Sequence, residues 1–443
     1  MKDFLPEDAF AALKRTGNAF IAFNVNIDAV VHVDGKMERL IQKKPQAFLK
    51  EEIKRPDDLF AGILYSMKYG QAAELTMSKA AESWICKNIR ADRKRMGGQV
   101  GIMSNLLVEL GMQPIVYTPL LSIEQCRLFF GNVLLVEKGL KHPGEIKTND
   151  KTKTNWIFEF DKGQRLFGTS AKESNRFIAA SRPDKFRLKP FDLNFGFSCA
   201  LLSGFQCIVP KYEDGHTYLD QFGIAREMIK KIRAKRKPLH IEMAFTENKK
   251  ILSKIIDLCS MADSVGLDES ELVLMLDCVK ENALAGSIHR NHKMKDVLAG
   301  MEKLLDKIGM KKIHLHGRGY FLALAKDYHA RPQDIKKSME FASAVASAKA
   351  LDRKATRKNI GAVSRLSVSM EGRAAEREIL KILEKKGIRM KDGIAHNGRH
   401  YAVFVPTPLV KKVRDVVGLG DIISASIFTA ETGFSMGKKE SNL

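Results

Sequence analysis

Residues 417–428 read VGLGDIISASIF, which joins two glycines and an acid to an apolar segment of helical period. Glycines allow the backbone to approach a ligand closely, and the free N–H groups at the start of a helix attract phosphate oxygens. Asp421 has two interpretations. It caps the helix, or it is a general base that takes a proton from a substrate hydroxyl as that oxygen attacks a phosphoryl group.

Around this stretch, short apolar runs alternate with longer helical segments, which predicts an α/β fold with a mainly parallel sheet covered by helices. The predicted strands are Ala19–Val25, Leu239–Phe245, Ser264–Leu267, Ile313–His316, Leu366–Met370 and Tyr401–Val405, and the predicted helices include Phe341–Leu351 and Ala374–Lys386. Residues 115–167 differ, because they hold clustered strand-like pieces (Pro114–Tyr117, Val133–Val136, Asn155–Phe160) and little helix.

The length of 443 residues is typical of two or three domains at roughly 150 residues each. We assign residues 1–29, 61–114 and 168–443 to a large α/β domain. Residues 30–60 and 115–167 are assigned to a smaller, discontinuous, β-rich domain.

The composition, with 44% hydrophobic and 28% charged residues, is that of a globular protein and excludes a disordered or fibrous chain. With no run of about 18 uncharged apolar residues, we expect a cytoplasmic protein with no membrane partner.

Lysine and arginine number 74 against 52 acidic residues, and the net charge of +22 favours anionic ligands. The densest basic run, at residues 230–237, lacks interleaved aromatic residues, which indicates a solvated helix end. We expect no specific nucleic-acid partner, and the oligomeric state stays open, with a monomer favoured.

Two further polar motifs are candidate ligand sites. RMGGQVG at residues 95–101 precedes an amphipathic segment, and its three glycines indicate either a helix entry or close approach of the backbone to a polar ligand. NVNID at residues 24–28 follows a predicted strand. Its amide and carboxylate groups suit sugar hydroxyls, although a polar turn after a strand would look the same.

Each of two acidic motifs can be interpreted either as part of a metal site or as a purely structural feature. His240 and Glu242 lie two residues apart in a predicted strand and therefore share a face. They form either a satisfied core pair or part of a metal site. Asp268 and Glu271 have the spacing of a capping box. The same spacing suits a magnesium–water site, because both need an oxygen at a helix start.

Taken in chain order, N-x-N-x-D, R-M-G-G-Q, L-S-G-F-Q at residues 202–206, H-x-E, D-x-x-E and G-L-G-D resemble the archaeal-type ADP-dependent sugar kinases. These are the ADP-dependent glucokinases and phosphofructokinases of the ribokinase-like superfamily. The resemblance covers nearly the whole chain, and R-M-G-G-Q, H-x-E and Pro406–Val410 point to the ADP branch. It implies a ribokinase-like, doubly wound, mostly parallel sheet with a smaller β-rich lid that closes over the sugar. ADP would bind the large domain and leave as AMP.

The resemblance also implies roles for individual residues. Asp421 resembles the catalytic base, and the backbone of Gly418, Leu419 and Gly420 resembles the nucleotide-binding anion hole for the transferring phosphate. Arg176 resembles an arginine that grips a phosphate. The residues that would line the sugar pocket are Asn26, Asp28, Gly97, Gly98 and Gln99. Those that would support the Mg²⁺ cofactor are Glu242 and Glu271, with Asp268 beside them.

The chain departs from the family pattern at two positions. The family usually has N-x-x-E where this chain has Asp268-x-x-Glu271, and it usually has threonine where this chain has Val416. An extra carboxylate near the metal would either tighten magnesium binding or change its geometry.

The candidate residues indicate two different sugar substrates. Glu74 falls where the family places a glucose-clamping carboxylate, whereas Lys162, Arg176 and Arg182 offer cations for the phosphate of fructose 6-phosphate. The basic net charge favours fructose 6-phosphate, with glucose as a second substrate. Two alternatives stay open at this point: an ATP-dependent ribokinase-like kinase, and a catalytically decayed polyanion-binding protein.

Overall fold

The protein is described by a computed structural model that covers residues 6–181, 186–351, 354–410 and 418–441, with side chains to residue 437. Its strands are β1 (Asn18–Phe23), β2 (Asn26–His32), β3 (Glu52–Ile53), β4 (Ala73–Met77), β5 (Arg93–Gly97), β6 (Gln113–Tyr117), β7 (Leu134–Val136), β8 (Leu140–Lys141), β9 (Thr154–Phe160), β10 (Arg165–Leu166), β11 (Thr169–Ser170), β12 (Asn175–Ala180), β13 (Cys199–Ser203), β14 (Leu239–Glu242), β15 (Ser264–Leu267), β16 (Lys312–Gly317), β17 (Tyr320–Ala325), β18 (Met390–Lys391), β19 (Ile394–His396) and β20 (Tyr401–Pro406).

Its α-helices are α1 (Pro6–Thr16), α2 (Pro56–Tyr69), α3 (Lys79–Asn88), α4 (Gln99–Glu109), α5 (Ile123–Cys126), α6 (Tyr218–Ala234), α7 (Lys249–Cys259), α8 (Glu269–Cys278), α9 (Asn282–Asn291), α10 (Met294–Ile308), α11 (Pro332–Ala350), α12 (Arg357–Ser364), α13 (Met370–Lys385) and α14 (Leu419–Ser441). Short 3₁₀ helices occur at Gly35–Leu40, Pro143–Glu145 and Phe205–Cys207.

A twelve-stranded sheet forms the centre of the larger unit, in the order β18-β19-β20-β17-β16-β15-β14-β13-β1-β6-β7-β8. The strands from β16 to β7 are parallel, and both ends of the sheet continue in antiparallel pairs. Helices α6 to α10 and α13 bury their apolar sides on one face. Helices α1, α4, α11, α12 and α14 cover the other. This arrangement confirms the predicted α/β class with a mostly parallel sheet.

A six-stranded sheet in the order β3-β4-β12-β9-β2-β5 forms the smaller unit. Alternate residues of β2, β9 and β12 pack with α2 and α3 into a separate apolar core, which includes Val31, Trp156, Phe158 and Phe177. The opposite face of this sheet has no comparable apolar cluster among the described residues.

Sheet membership corrects the boundaries assigned from the sequence. Strands β4 and β5, within residues 61–114, belong to the smaller sheet, and β6, β7 and β8, at residues 113–141, belong to the larger one. Of the strand-like pieces in 115–167, only β9 joins the smaller sheet as assigned, and β3, within 30–60, joins it too. Strand β12 and the first four residues of β2 were assigned to the large domain but belong to the smaller sheet. Apolar alternation predicts that a segment is a strand, but it does not specify which of two sheets the strand joins.

Individual elements follow the sequence to different extents. Ser264–Leu267 is a strand with the predicted bounds, and Tyr401 begins β20 as predicted. The predicted strand Leu366–Met370 is wrong: Val368 makes one isolated bridge, and Ser369 caps α13 by accepting a hydrogen bond from the Gly372 amide at 3.0 Å. The strand predicted at Leu239–Phe245 ends at Glu242.

The basic run at residues 230–237 lies at the C-terminal end of α6, where Lys231 pairs with Asp192 at 2.9 Å and Arg233 pairs with Asp263. Cations there complement the negative end of the helix dipole. Over the described part of the chain, every helix is too short or too polar to cross a lipid bilayer.

Candidate active site

Helix α14 begins at the edge of the larger sheet where the parallel strands β1, β13, β14 and β15 end, which is where open α/β sheets bind ligands. Gly418 has a positive φ of 70°, and a Cβ there would lie 2.5 Å from Ile102 Cδ1. A Cβ on Gly420 would lie 2.6 Å from His316 Nε2. Both positions therefore require glycine, and with Leu419 they form the entry to the first turn of α14.

Asp421 lies in that first turn and is buried. Burial raises the pKa of Asp421 to about 7, and a hydrogen bond with the Gln99 side chain partly offsets the rise. Gln99, the first residue of α4, donates through Nε2 to the Met243 carbonyl at 2.9 Å and accepts from Gln206 Nε2 at 2.9 Å. The Gln99 amide therefore links α4, the end of β14 and the start of α14.

Glu242, at the end of β14, and Glu271, in the first turn of α8, are buried next to this carboxyl. Burial, and then the charges of Asp421 and Glu271, raise the pKa of Glu242 well above its ordinary value. Burial and then the Asp268 charge raise the pKa of Glu271 to about 8. The carboxyls of Asp421, Glu242, Glu271 and Asp268 thus form one acidic cluster.

Asp268 and Glu271 form the capping box that their spacing allowed. The Glu271 amide donates to Asp268 Oδ1 and the Asp268 amide donates to Glu271 Oε2, both at 2.8 Å. These bonds occupy one oxygen of each side chain, so the capping role and a place in the acidic cluster are compatible.

The acidic cluster suits Mg²⁺. Its donors are carboxylate oxygens, the ligand type that magnesium prefers. Mutual repulsion also contributes to the raised pKa values of Glu242 and Glu271, and a divalent cation would relieve it. The residues present therefore fit the metal that the sequence resemblance implies.

Three histidines lie under the acidic cluster, of which only His240 was singled out from the sequence. His240 Nε2 is 3.2 Å from Glu242 Oε2, and the ring of His240 stacks on that of His314 at 5.4 Å. His316 packs against Gly420, and burial lowers the pKa of His316 to about 4, so its ring is neutral. The available signal was H-x-H at residues 314–316, whose period of two puts both rings on one face of a strand.

Asn26 and Asp28 lie in β2 of the smaller sheet, which corrects the expectation that they extend the end of the first strand. That strand ends at Phe23. In the neighbouring strand β5, a Cβ on Gly97 would lie 2.0 Å from Asp28 Oδ1. Gly98 has a φ of 73°, and a Cβ there would lie 2.6 Å from the Asn24 carbonyl oxygen. The two glycines thus let α4 begin directly beside the polar start of β2.

The strand registers place the remaining sugar candidates on one face of the smaller sheet. In the strand register, Asp28 lies opposite Asn155 and Arg176 lies opposite Glu159. Glu74 pairs with Ile178, two residues after Arg176 in β12. All of these positions alternate with the apolar-core positions of their strands, so they point to the opposite face. We call this surface the polar face.

At Asp28 the polar face borders the larger unit, because one cavity is lined by Asp28 and Arg95 of the smaller sheet and by Ile422 of α14. Lys162 is exposed in the turn after β9, at the same end of the sheet as Arg176, and its amide donates to Ser174 Oγ at 2.9 Å. Arg182 and Val416 lie outside the described residues.

The arrangement brings together a buried titratable carboxyl, a helix start with free backbone N–H groups and a cluster of carboxylates. The smaller sheet adds a polar face with amide, carboxylate and cationic groups. These are the parts that phosphoryl transfer to an alcohol requires, because such transfer depends on positioning and electrostatic stabilisation.

The chain is similar to known proteins along nearly its whole length. The conserved region of the ADP-specific phosphofructokinase/glucokinase family matches residues 17–430. An ADP-dependent glucose/glucosamine kinase of Pyrococcus furiosus is 30% identical over 97% of both chains. An ADP-specific phosphofructokinase of Thermococcus kodakarensis is 31% identical over 93% of this chain and 95% of its own. A solved ADP-dependent kinase in complex with fructose-6-phosphate and ADPβS superposes with a TM-score of 0.83 at 31% identity, over 97% of both chains. The chain belongs to the ADP-specific phosphofructokinase/glucokinase family.

Proposed function

We propose that this protein transfers the β-phosphoryl group of ADP to a sugar hydroxyl, with fructose 6-phosphate as the preferred acceptor and AMP and fructose 1,6-bisphosphate as products. The observation that carries the proposal is Asp421: a buried carboxyl with a pKa of about 7, in the first turn of α14, beside Gln99 and the acidic cluster. A group half ionised near neutral pH suits a general base.

In this reaction Asp421 accepts the proton of the sugar hydroxyl as its oxygen attacks phosphorus. The backbone N–H groups of Gly418, Leu419 and Gly420, at the positive end of the α14 dipole, stabilise the charge on the transferring phosphoryl oxygens. Because this turn is already folded, the stabilisation needs no reorganisation during the reaction.

Glu242 and Glu271, with Asp268, would hold Mg²⁺. When bound, the metal neutralises charge on the phosphate oxygens of the nucleotide. The protein's own contribution is to keep Glu242 and Glu271 buried beside the half-buried Asp268, so that the metal, rather than protons, balances their charge.

The sugar lies between the two sheets. Asn26 and Asp28 bind its hydroxyls, and Gly97 and Gly98 let the backbone approach it beside Gln99. Arg176 and Lys162, at one end of the polar face, bind the phosphate of fructose 6-phosphate, and we assign Arg182 to the same group. The guanidinium of Arg176 can grip two phosphate oxygens at once.

Glucose is the second candidate substrate, and the observation that favours it is Glu74 on the polar face. Its carboxylate would accept hydrogen bonds from sugar hydroxyls, and it would repel the phosphate of fructose 6-phosphate. Fructose 6-phosphate therefore depends on the positive groups of the polar face, and glucose depends on a negative group of the same face.

The smaller sheet is proposed to act as a lid that closes on the larger one when nucleotide and sugar are both bound. Asp28 and Arg176 lie on the smaller sheet and Asp421 lies on α14 of the larger unit, so closure would bring the sugar and the base together. Small-angle scattering should record a smaller radius of gyration with both ligands present. An unchanged radius at saturating ligand would count against the lid.

The deciding experiment measures AMP release from ADP and Mg²⁺ with fructose 6-phosphate or glucose, and repeats it with ATP. We expect AMP with fructose 6-phosphate. Lys162→Ala should lower kcat/KM for fructose 6-phosphate about tenfold and spare glucose, whereas Glu74→Gln should impair glucose only. The matched control is Lys36→Ala, which removes an exposed lysine from the 3₁₀ helix Gly35–Leu40 of the smaller unit.

Each alternative predicts a different outcome. Turnover with ATP but not ADP would favour the ATP-dependent kinase. No turnover with either nucleotide and either sugar would refute the proposed function and favour the polyanion-binding protein, whose retention on nucleic acid would weaken steeply with salt.

A further inference from the structure

Buried polar side chains form a connected chain beneath the acidic cluster, inside the apolar core between the larger sheet and α14. His240, in β14, is fully buried, and its two ring nitrogens have different partners. Nε2 lies 3.2 Å from Glu242 Oε2, and Nδ1 lies 3.1 Å from Ser264 Oγ in β15. The imidazole therefore bridges a carboxyl of the acidic cluster and the neighbouring strand.

A second contact reaches Glu242 from α14. Ser424, fully buried and three residues after Asp421, forms a hydrogen bond with the Glu242 side chain. The Ser424 hydroxyl also lies 2.9 Å from His314 Nε2 in β16. Glu242 is thus held from one side by its own strand and from the other by the helix that carries Asp421.

Gly266, in β15, makes room for this contact. A Cβ at Gly266 would lie 2.1 Å from Glu242 Oε2 and 2.7 Å from Ser424 Oγ. The carboxyl therefore fills the space in which any other residue would place its side chain. Such packing leaves Glu242 little freedom to adopt another rotamer.

The row of buried polar side chains reaches α14 a second time, near Glu431. Ser264 also hydrogen-bonds to Tyr328, and Tyr328 Oη donates to Glu431 Oε2 at 2.8 Å. Lys312, at the start of β16, is the last member of the row: its Nζ donates to the two Glu431 carboxylate oxygens at 2.5 and 2.7 Å. Ser424 and Glu431 lie two helical turns apart, so the polar chain joins α14 to the sheet at two points.

We propose that His240, Ser264 and Ser424 are positioning residues, which hold the Glu242 carboxylate in one orientation and fix its place relative to the helix that carries Asp421. The inference rests on the proposed function, because Glu242 is assigned there to Mg²⁺. Partners that orient a metal-binding carboxylate commonly change metal affinity or activity 10- to 100-fold when they are removed.

The test compares two serines of the same helix. Ser424→Ala removes the bond to Glu242. Ser426→Ala deletes the same atom at a fully buried position whose hydroxyl has no hydrogen-bond partner in the described part of the chain. The first readout is Mn²⁺ binding in the presence of ADP, measured from the free-ion signal in electron paramagnetic resonance, which needs no turnover. The second is the Mg²⁺ dependence of AMP release.

We expect Ser424→Ala to weaken Mn²⁺ binding about tenfold and to raise the Mg²⁺ requirement by a similar factor. We expect Ser426→Ala to stay within twofold of the wild type in both. His240→Gln, which keeps a donor near Glu242, should bind Mn²⁺ more tightly than His240→Leu, which keeps none. A purely structural role would lower the melting temperature without ordering the Mn²⁺ affinities in this way.

The proposal is overturned if Ser424→Ala and Ser426→Ala bind Mn²⁺ equally, or if the wild type binds none in the presence of ADP. If Ser424→Ala does not fold, Ser264→Ala takes its place, since it breaks the chain one residue further from the metal. Absence of AMP formation by the wild type would refute the proposed function alone, because the Mn²⁺ comparison is independent of turnover.

Discussion

Replacing Asp421 by Asn removes the proposed base and keeps the shape of the side chain. The Asn oxygen can still accept the hydrogen bond from Gln99, so the first turn of α14 should keep its packing. General-base catalysis contributes about 10²–10⁴ to the rate. We expect kcat to fall on the order of a thousandfold, which is roughly 4 kcal/mol of transition-state stabilisation, while ADP still binds.

The same substitution should increase stability at alkaline pH. Burial raises the pKa of Asp421 from 3.8 to about 7, so between these values the folded protein holds a proton that the unfolded chain has released. The free energy of unfolding therefore falls as the pH rises through this window, by roughly 4 kcal/mol in all. Asn does not titrate, so the stability advantage of Asp421→Asn should be larger at pH 8 than at pH 5.

Three measurements test this reasoning: AMP release with ADP and fructose 6-phosphate from about pH 5.5 to 9, calorimetric ADP binding, and urea unfolding at about pH 5 and pH 8. The wild-type kcat/KM should fall about tenfold per pH unit below the pKa of Asp421, near 7. The variant should lack this acidic limb. Turnover of the variant above a tenth of the wild-type rate would remove Asp421 from the mechanism. A wild-type rate that does not change across pH 7 would refute the assigned pKa.

Three further substitutions give separate outcomes. Gly266→Ala should displace the Glu242 carboxyl, and we expect at least a tenfold loss of kcat and about 1–3 kcal/mol of stability in urea unfolding; wild-type kinetics would contradict the close packing. Arg176→Lys keeps the charge but loses the bidentate grip, so KM for fructose 6-phosphate should rise about tenfold and KM for glucose should not change, in steady-state assays. Glu271→Gln keeps an oxygen for the capping box, so folding should be preserved while the Mg²⁺ concentration for half-maximal rate rises about tenfold. An unchanged Mg²⁺ titration would remove Glu271 from the metal site.

Much of the site could be predicted because its parts are local in sequence. Gly418, Gly420 and Asp421 form one turn, and Asp268 and Glu271 form one capping box. Short-range geometry determines both motifs, so spacing alone was informative. Spacing could not show that Asp268 and Glu271 also join the acidic cluster, because that depends on where α8 begins relative to α14.

The buried polar chain could not be predicted for the opposite reason. His314 and Ser424 are 110 residues apart in sequence yet 2.9 Å apart in space, and each alone resembles an ordinary core residue. A strand histidine or a helical serine becomes informative only when its partner is known. The assignment of β4 to β8 to the two sheets was wrong for the same reason, since the sequence pattern of a strand does not show which strands lie beside it.

Helix α14 explains why the polar chain and the candidate site belong together. Asp421, Ser424, Phe428 and Glu431 follow one another at helical spacing, so they share one stripe of the helix. Three of these side chains bond to polar partners, and the ring of Phe428 packs on that of His240 at 5.1 Å. Rotating the helix to relax one contact would break the others and leave buried polar groups without partners, at roughly 1–3 kcal/mol each. The position of Asp421 relative to Glu242 is therefore set by a rigid helix anchored at several points.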